Sequence, residues 1–172
     1  NLLFEETEEI KKILSQLTDY FRPHLDLIKT YQQYLIQIDT FYARARYAKE
    51  INALLPIFTE EQELWLKNAY HPLLYRSHQL EDKKTYPQEI HLNTESRVIV
   101  ISGPNAGGKS ITLKTVGLLQ LMIQSGLLIP VHEKSRVRWF DSILTDIGDN
   151  QSIEDHLSTY SYRLKNMKGF LK

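Results

Sequence analysis

The sequence predicts an α/β fold in which a long helical segment precedes the first part of a sheet domain. Three observations in the 172-residue chain predict it. Residues 5–50 carry apolar side chains at helical spacing, residues 97–101 form an apolar run typical of a buried strand, and a glycine-rich stretch, 103–110, follows at once. We therefore expect a helical hairpin or lever over residues 1–55 and the sheet domain, with its flanking helices, over residues 56–172.

The N-terminal segment has the pattern of two long helices. Pro23 lacks a backbone donor and crowds the preceding turn, so the helix should bend or break near Arg22. The apolar positions follow a heptad-like seam, which predicts a hairpin or a stalk that packs on a neighbour. Arg44, Arg46 and Lys49 form a small basic strip, which we interpret as a solvated face rather than a nucleic-acid patch.

The middle of the chain is the hardest part to assign. After a short connector at 55–57, Thr59 and Gln62 fit a capping box that opens a short helix, whereas the apolar run leading into a His-Pro pair fits a strand. We favour a strand over 63–69. The polar stretch 76–88 ends near a proline and predicts a loop.

The second half alternates strands and helices. Residues 109–124 are apolar nearly all round and are followed by Gly126, a pattern that predicts a buried helix with a glycine stop. Strands are predicted over 90–92, 97–101, 136–140 and 142–147, and a last helix over 159–171.

The glycine-rich stretch carries the clearest chemistry. Residues 103–110 match the pattern Gly-x-x-x-x-Gly-Lys-Ser/Thr, between an apolar run and a helix. In this pattern backbone N–H groups turn inward around phosphates, the lysine reaches the terminal phosphates and the hydroxyl ligates magnesium. Lys109 and Ser110 hold the last two positions. The chain is therefore predicted to bind a nucleoside triphosphate with Mg²⁺.

Residues for hydrolysis are harder to find, because that reaction also needs a carboxylate that positions metal and water. Asp146 has the best placement, but Ile147 and Gly148 follow it instead of a second carboxylate. We interpret Asp146 as a strand-end residue, with a place in the magnesium shell as the alternative. The histidines lack metal-binding spacing, and the Asn-Lys-x-Asp segment of a GTPase is absent. Our first interpretation of Ser158 and Thr159 is that they form the N-cap of the last helix.

Composition excludes several classes of protein. The 21 basic and 21 acidic residues balance, so there is no net field for nucleic acid. With no cysteine, disulfides and thiolate metal sites are excluded, which fits a cytoplasmic protein. No apolar stretch is long enough for a membrane span, and we expect no membrane partner. The chain starts without methionine, so we expect a piece of a longer protein.

Several stretches together resemble one family, the ATPase domain of MutS proteins. The closer resemblance is to the second MutS branch, which lacks the mismatch-reading domain; Ile111, where many mismatch-reading relatives have threonine, favours it. The stretches that carry the resemblance are 39–48, 69–74, 103–110, 112–118, 125–131, 146–149 and 157–161.

The resemblance implies an ABC-type ATPase half-site that works as a homodimer, the phosphate loop of one subunit facing the signature loop of the other. Ser158 and Thr159 would then approach the ATP of the other subunit, Asn105 would reach the phosphates, and Tyr86 is the candidate for stacking on adenine. The implied ATP-binding residues of the loop are Gly103, Pro104, Asn105, Ala106, Gly107, Gly108, Lys109, Ser110 and Ile111, with Ser110 also on Mg²⁺.

The implied function is that of a DNA-processing ATPase, a nucleotide-driven clamp on double-stranded or branched DNA in mismatch repair or suppression of recombination. The family's aspartate-glutamate pair, its switch histidine and the nuclease domain of this branch have no counterpart in these residues. We therefore expect ATP binding without efficient hydrolysis. Three alternatives stay open: a non-hydrolysing helical scaffold with a nucleotide-binding loop, another ABC-type ATPase of chromosome maintenance, and a ribosome-directed role of the same branch.

Overall fold

The computed structural model describes residues 2–104 and 107–147. They fall in two compact units, Asn1–Ala45 and Arg46–Lys172. Within the described ranges, no helix is both long and apolar enough to cross a membrane. The helix predicted over 159–171 lies outside the described residues.

The first unit is helical. Helix α1 spans Leu2–Phe21, a 3₁₀ turn covers Arg22–His24, and helix α2 spans Leu25–Glu50. The predicted interruption at Pro23 is confirmed, since this residue lies in the 3₁₀ turn. Phe21 and Leu25, on either side of the turn, both keep right-handed helical dihedral angles. The chain therefore does not fold back there, and the hairpin form of the prediction is wrong.

The second unit contains a small mixed sheet. Its strands are β1 (Ile57–Phe58), β2 (Leu64–Ala69), β3 (Gln88–Leu92) and β4 (Arg136–Val137). The strand order is β1-β4-β2-β3; β1 is parallel to β4, and β2 is antiparallel to both β3 and β4. The strands predicted over 63–69 and 90–92 are confirmed as β2 and β3. The short β1 falls partly in the stretch that the sequence presents as a connector.

The core of this unit forms where helix α4 (Lys109–Gln124) packs on the sheet. Leu119 of α4 and Val137 of β4 are fully buried, and Leu66 of β2 is nearly so. Burying one such side chain stabilises a fold by roughly 1.5–3 kcal/mol relative to leaving it in water. The first buried residue of α4 is Thr115, so the first turn of the helix projects beyond the core.

Helix α4 has the bounds that the sequence predicts, and Gly126, with a φ of 75°, follows its end. Two glutamines tie the helix to the chain after β4. The Gln120 amide donates to the carbonyl of Arg138 at 2.8 Å, and the Gln124 amide donates to the carbonyl of Phe140 at 2.9 Å. The direction of α4, and of the glycine-rich stretch before it, is thereby fixed relative to the sheet.

The stretch 76–88 is not a loop throughout, because helix α3 (Pro72–Leu80) covers its first part. His71 is the N-cap of α3, and its Nδ1 accepts a hydrogen bond from the N–H of Leu74 at 3.5 Å. Pro72 opens the helix, at a position where its missing N–H has no partner to lose. The His-Pro pair that follows the predicted strand 63–69 therefore starts a helix.

The apolar run 97–101 is not the buried strand that the sequence predicts. Val98 and Val100 are 78% and 86% exposed, and no strand of the described ranges pairs with this run. A strand buried on both faces needs hydrogen-bonded neighbours. Without them, most of the run is exposed. The strands predicted over 136–140 and 142–147 are also wrong in extent, since β4 covers only two residues of the first and the second forms no ladder.

Candidate functional site

The glycine-rich stretch leads directly into α4. Gly108 is the N-cap of this helix and has a φ of 79°, in the left-handed region. An L-residue pays about 1–2 kcal/mol for that conformation, so glycine suits the position. No described side chain caps the helix, and the first N–H groups of an α-helix have no partner within it. The start of α4 therefore presents backbone donors that suit an anion.

A tight turn precedes this N-cap. The N–H of Gly107 donates to the carbonyl of Pro104 at 2.9 Å. A Cβ atom at Gly107 would lie 3.0 Å from the Pro104 carbonyl oxygen, closer than real Cβ atoms normally approach backbone. A side chain at this position would therefore crowd the turn, which favours glycine there. Asn105 and Ala106, which belong to the same predicted site, lie outside the described residues.

Lys109 folds back over the turn. Its Nζ donates to the carbonyl oxygens of Gly103 and Pro104, at 2.5 and 2.6 Å. Both acceptors are neutral, whereas an ammonium group makes its stronger hydrogen bonds to charged oxygens. The Lys109 ammonium group is thus held beside the turn by two hydrogen bonds that an anion can replace. Ser110, the next residue, is exposed on the first turn of α4.

The structure thus brings together the described loop residues Gly103, Pro104, Gly107, Gly108 and Lys109. It does not test the roles of the outlying candidates. Tyr86 is 73% exposed, and the Nζ of Lys84 lies 5.0 Å from its ring centroid. Its stacking on adenine stays a prediction. Ser158 and Thr159 lie outside the described residues.

Asp146 lies beside an open apolar groove of about 360 Å³, bounded by the 97–101 run, α4 and residues 143–147. Ile101 and Leu113 line the same groove, and the methyl group of Thr145 lies near Gly117 of α4. The segment after β4 therefore runs along α4. Magnesium ligation by Asp146 stays an alternative that the structure does not test. No group of three or more histidine, aspartate or glutamate side chains in the described ranges could hold a metal by itself.

One charged cluster was not anticipated from the sequence. Glu63 lies 2.9 Å from His91 Nε2 through one carboxylate oxygen and accepts from Arg136 at 2.9 Å through the other. The hydrogen bond from Arg136, and after it that with His91, lowers the pKa of Glu63. His91 belongs to β3 and Arg136 to β4, so one carboxylate links the strands on both sides of β2. The partners are 28 and 73 positions away in sequence, so no local pattern could reveal them.

His71 was also missed. Burial, and secondarily the positive charge of Lys114 on α4, lower its pKa. The neutral form suits its role, because only an unprotonated Nδ1 can accept the hydrogen bond from Leu74 that caps α3. The sequence did hold a signal, since a polar residue followed by proline is typical of a helix start.

The fold and the site define an α/β domain with a glycine-rich turn at the N-terminus of its central helix. A family profile described as MutS domain V matches residues 99–172, which include the turn and all of α4. Because the turn and helix fall inside this match, the site belongs to that domain.

Relatives extend the similarity over the remainder of the chain. The chain is 48% identical over 163 residues to Endonuclease MutS2 of Finegoldia magna, covering 95% of the chain and 20% of the relative. It is 44% identical over 167 residues to Endonuclease MutS2 of Ligilactobacillus salivarius, covering 97% of the chain and 20% of the relative. It is 42% identical over 172 residues to Endonuclease MutS2 of Lactobacillus helveticus, covering 100% of the chain and 21% of the relative. The chain thus spans about one fifth of these relatives' length. It belongs to the MutS family, in the second branch, as the resemblance implies.

Proposed function

We propose that residues 103–110 bind the phosphates of ATP together with Mg²⁺. The observation that carries the proposal is the arrangement of Lys109, whose ammonium group is held over the turn by two backbone carbonyls at the uncapped start of α4. A lysine beside a helix N-terminus gives one mobile cation and several fixed N–H donors, which suits a polyanion. The match to MutS domain V over the same residues supports this assignment.

The residues present fit such a ligand. Gly107 and Gly108 place no side chain beside the start of α4, so a phosphate group can come near the backbone there. Lys109 would exchange its two carbonyl acceptors for phosphate oxygens, and Ser110 would offer its hydroxyl to Mg²⁺. The ion would supply charge neutralisation and would take its other ligands from phosphate oxygens and water, as Mg²⁺ usually does.

For the whole protein, we propose a DNA-processing ATPase that works as a homodimer, with Ser158 and Thr159 of one subunit near the ATP of the other. Two observations support this: the identity to relatives named Endonuclease MutS2, and the domain V match. The endonuclease activity in that name is stated of the relatives, of which this chain spans about one fifth.

ATP binding by the 172-residue chain tests the proposal, measured by isothermal titration calorimetry with Mg²⁺. We expect Lys109→Ala to weaken ATP binding by more than about tenfold, because a hydrogen bond to a charged group contributes about 1.5–3 kcal/mol. Lys114→Ala is the matched control: it removes the same charge from the same helix one turn further on, and should leave the affinity within about twofold. Equal losses in both variants would show a general effect of charge, and unchanged binding by Lys109→Ala would disprove the site.

Hydrolysis by the same chain separates binding from catalysis. Without an identified catalytic carboxylate, we expect phosphate release no faster than the uncatalysed background. Turnover that Lys109→Ala abolishes would show that the described residues, or those after 147, already contain the missing group.

A further inference from the structure

The threonines of the helices make one kind of hydrogen bond. In α1, α2 and α4 each threonine hydroxyl donates to the carbonyl four residues before it, a common bond of threonine inside helices. Five of these six acceptors lie inside the same helix as the donor. The hydroxyl of Thr112 instead donates to Gly108, the N-cap, which precedes the first residue of α4. Thr112 therefore acts on the glycine-rich turn itself.

Two donors of Thr112 hold the Gly108 carbonyl. The N–H of Thr112 donates to this carbonyl at 3.0 Å, and the hydroxyl of Thr112 donates to it at 3.2 Å. A carbonyl oxygen has two lone pairs, so both bonds can form at once. Because the two donors approach from different directions, together they fix the orientation of the carbonyl group more closely than the N–H alone.

The orientation of this carbonyl also sets the direction of the next N–H group. The carbonyl of Gly108 and the N–H of Lys109 belong to one trans peptide unit, in which the two groups lie in a plane and point in opposite directions. The carbonyl points into α4, toward Thr112, so the N–H points out of the helix start. This N–H is one of the groups that have no partner within the helix.

Gly108 itself restrains that direction weakly. Its φ is 79° and its ψ is 10°, in the left-handed region that glycine enters as readily as the right-handed one. The ψ angle rotates the Gly108–Lys109 peptide unit, so the direction of the Lys109 N–H depends on it. The hydroxyl of Thr112 thus supplies a restraint on ψ that glycine lacks.

Ile111 supports the same turn in a different way. Its Cγ2 methyl group would lie 3.4 Å from a Cβ atom at Gly108, so it covers the side of Gly108 on which a side chain would stand. This packing limits the position of the Gly108 Cα atom and leaves the direction of the carbonyl to the hydrogen bonds from Thr112.

We infer that Thr112 is a positioning residue for the phosphate site, whose hydroxyl holds the Gly108 carbonyl so that the Lys109 N–H faces a phosphate oxygen of the nucleotide. This inference rests on the proposed binding of ATP by residues 103–110. Thr112 acts on the ligand only through Gly108. A turn that is already restrained in the free chain loses less freedom when the ligand binds, and such preorganisation raises affinity.

Replacing the Thr112 hydroxyl by a methyl group tests this role. Thr112→Val keeps the branched shape and a similar helix propensity but removes the donor. In calorimetry with ATP and Mg²⁺ its dissociation constant should be about threefold higher, a small effect because 3.2 Å is long for such a bond. Thr112→Ser keeps a hydroxyl and should bind within about 1.5-fold of the unmodified chain.

Thr115→Val is the matched control. It removes an equivalent hydroxyl from the same helix, where Thr115 donates to the Ile111 carbonyl at 2.7 Å. That acceptor lies inside α4 and does not belong to the glycine-rich turn, so the ATP affinity should stay within about 1.5-fold. Equal losses of affinity in Thr112→Val and Thr115→Val, or a loss in Thr112→Val that Thr112→Ser shares, would overturn the inference.

Carbon-13 NMR of the ligand-free chain measures the restraint without nucleotide. The carbonyl resonance of Gly108 should move upfield in Thr112→Val, because a carbonyl carbon becomes more shielded when it loses a hydrogen bond, and should stay in place in Thr115→Val. An unmoved resonance in Thr112→Val would overturn the inference whatever the ATP affinity.

The unmodified chain distinguishes failure of this inference from failure of the proposed function. If the unmodified chain binds ATP and Thr112→Val binds it equally well, only the positioning role is wrong. If the unmodified chain does not bind ATP, the proposed function is wrong, and the positioning role falls with it. Thermal unfolding of each variant shows whether a loss of affinity reflects the site or a less stable fold.

Discussion

Replacing Gly108 by alanine tests whether the left-handed start of α4 serves ligand binding or only the fold. At a φ of 79°, alanine pays about 1–2 kcal/mol of backbone strain, and it regains about 0.4–1 kcal/mol by restricting the unfolded chain. The new Cβ would also lie 3.4 Å from a methyl group of Ile111, a contact that leaves little spare room. The net destabilisation should be about 1 kcal/mol, or a fall in Tm of about 2–4 °C for a chain of this size.

Gly126 provides the matched control, since its φ of 75° carries the same strain at the opposite end of the same helix. Gly108→Ala and Gly126→Ala should therefore lower Tm by similar amounts in thermal unfolding followed by circular dichroism. Only Gly108→Ala should weaken ATP binding, by about tenfold or more, because it moves the N–H groups that face the phosphates. The reasoning is refuted if Gly126→Ala weakens ATP binding as much, or if Gly108→Ala binds ATP normally.

Three further predictions concern the fold of the second unit. Leu119→Ala should lower the free energy of unfolding in urea by about 2–5 kcal/mol, because Leu119 is fully buried. Leu113→Ala, at a half-exposed site on the same helix, should lower it far less. Equal losses would contradict the assigned core. The lowered pKa of Glu63 means that its pairing stabilises the fold fully above the ordinary glutamate pKa, about 4.3, and less as pH falls below it. Glu63→Gln should therefore flatten the fall of the free energy of unfolding at acid pH. An unchanged dependence of that free energy on pH would show that the cluster is not coupled to folding. The lowered pKa of His71 likewise means that stability falls as pH drops through about 6.5, where the unfolded chain takes up the proton. His71→Asn keeps a capping side chain and should remove that dependence. If the free energy of unfolding of this variant still changes between pH 8 and 5.5, the dependence belongs to another group.

The sequence predicted correctly those helices, strands and turns whose formation depends on residues close together in the chain. Helix α4 combines strong apolar periodicity with a glycine stop, and both of its ends came out as predicted. Strand β2 was predicted because a short apolar run, 64–66, favours a strand, and Leu64 and Leu66 are buried in it. The turn before α4 was predicted because its glycines are needed for backbone geometry, which a sequence pattern records directly.

The errors arise where structure depends on distant neighbours. Residues 97–101 have the composition of a buried strand, but a strand also needs partners, and none of the described strands pairs with it. Helix α3 was taken for a loop because its exposed, polar composition outweighed the His-Pro start signal. The Glu63 cluster joins residues up to 73 positions apart, and nothing in the sequence near Glu63 indicates them.

The two residues of β4 impose an order on folding during synthesis. Strand β4 lies between β1 and β2, so it joins a strand made about eighty positions earlier to the middle of the sheet. A growing chain can pair β2 with β3 as soon as residue 92 has emerged. Among the described strands β1 pairs only with β4, so that pairing waits until residues 136–137 appear. Contacts of such long sequence separation form late and slow the folding rate. Until then Ile57 and Phe58 present an open strand edge, which makes this the interval in which a nascent chain most needs protection from aggregation.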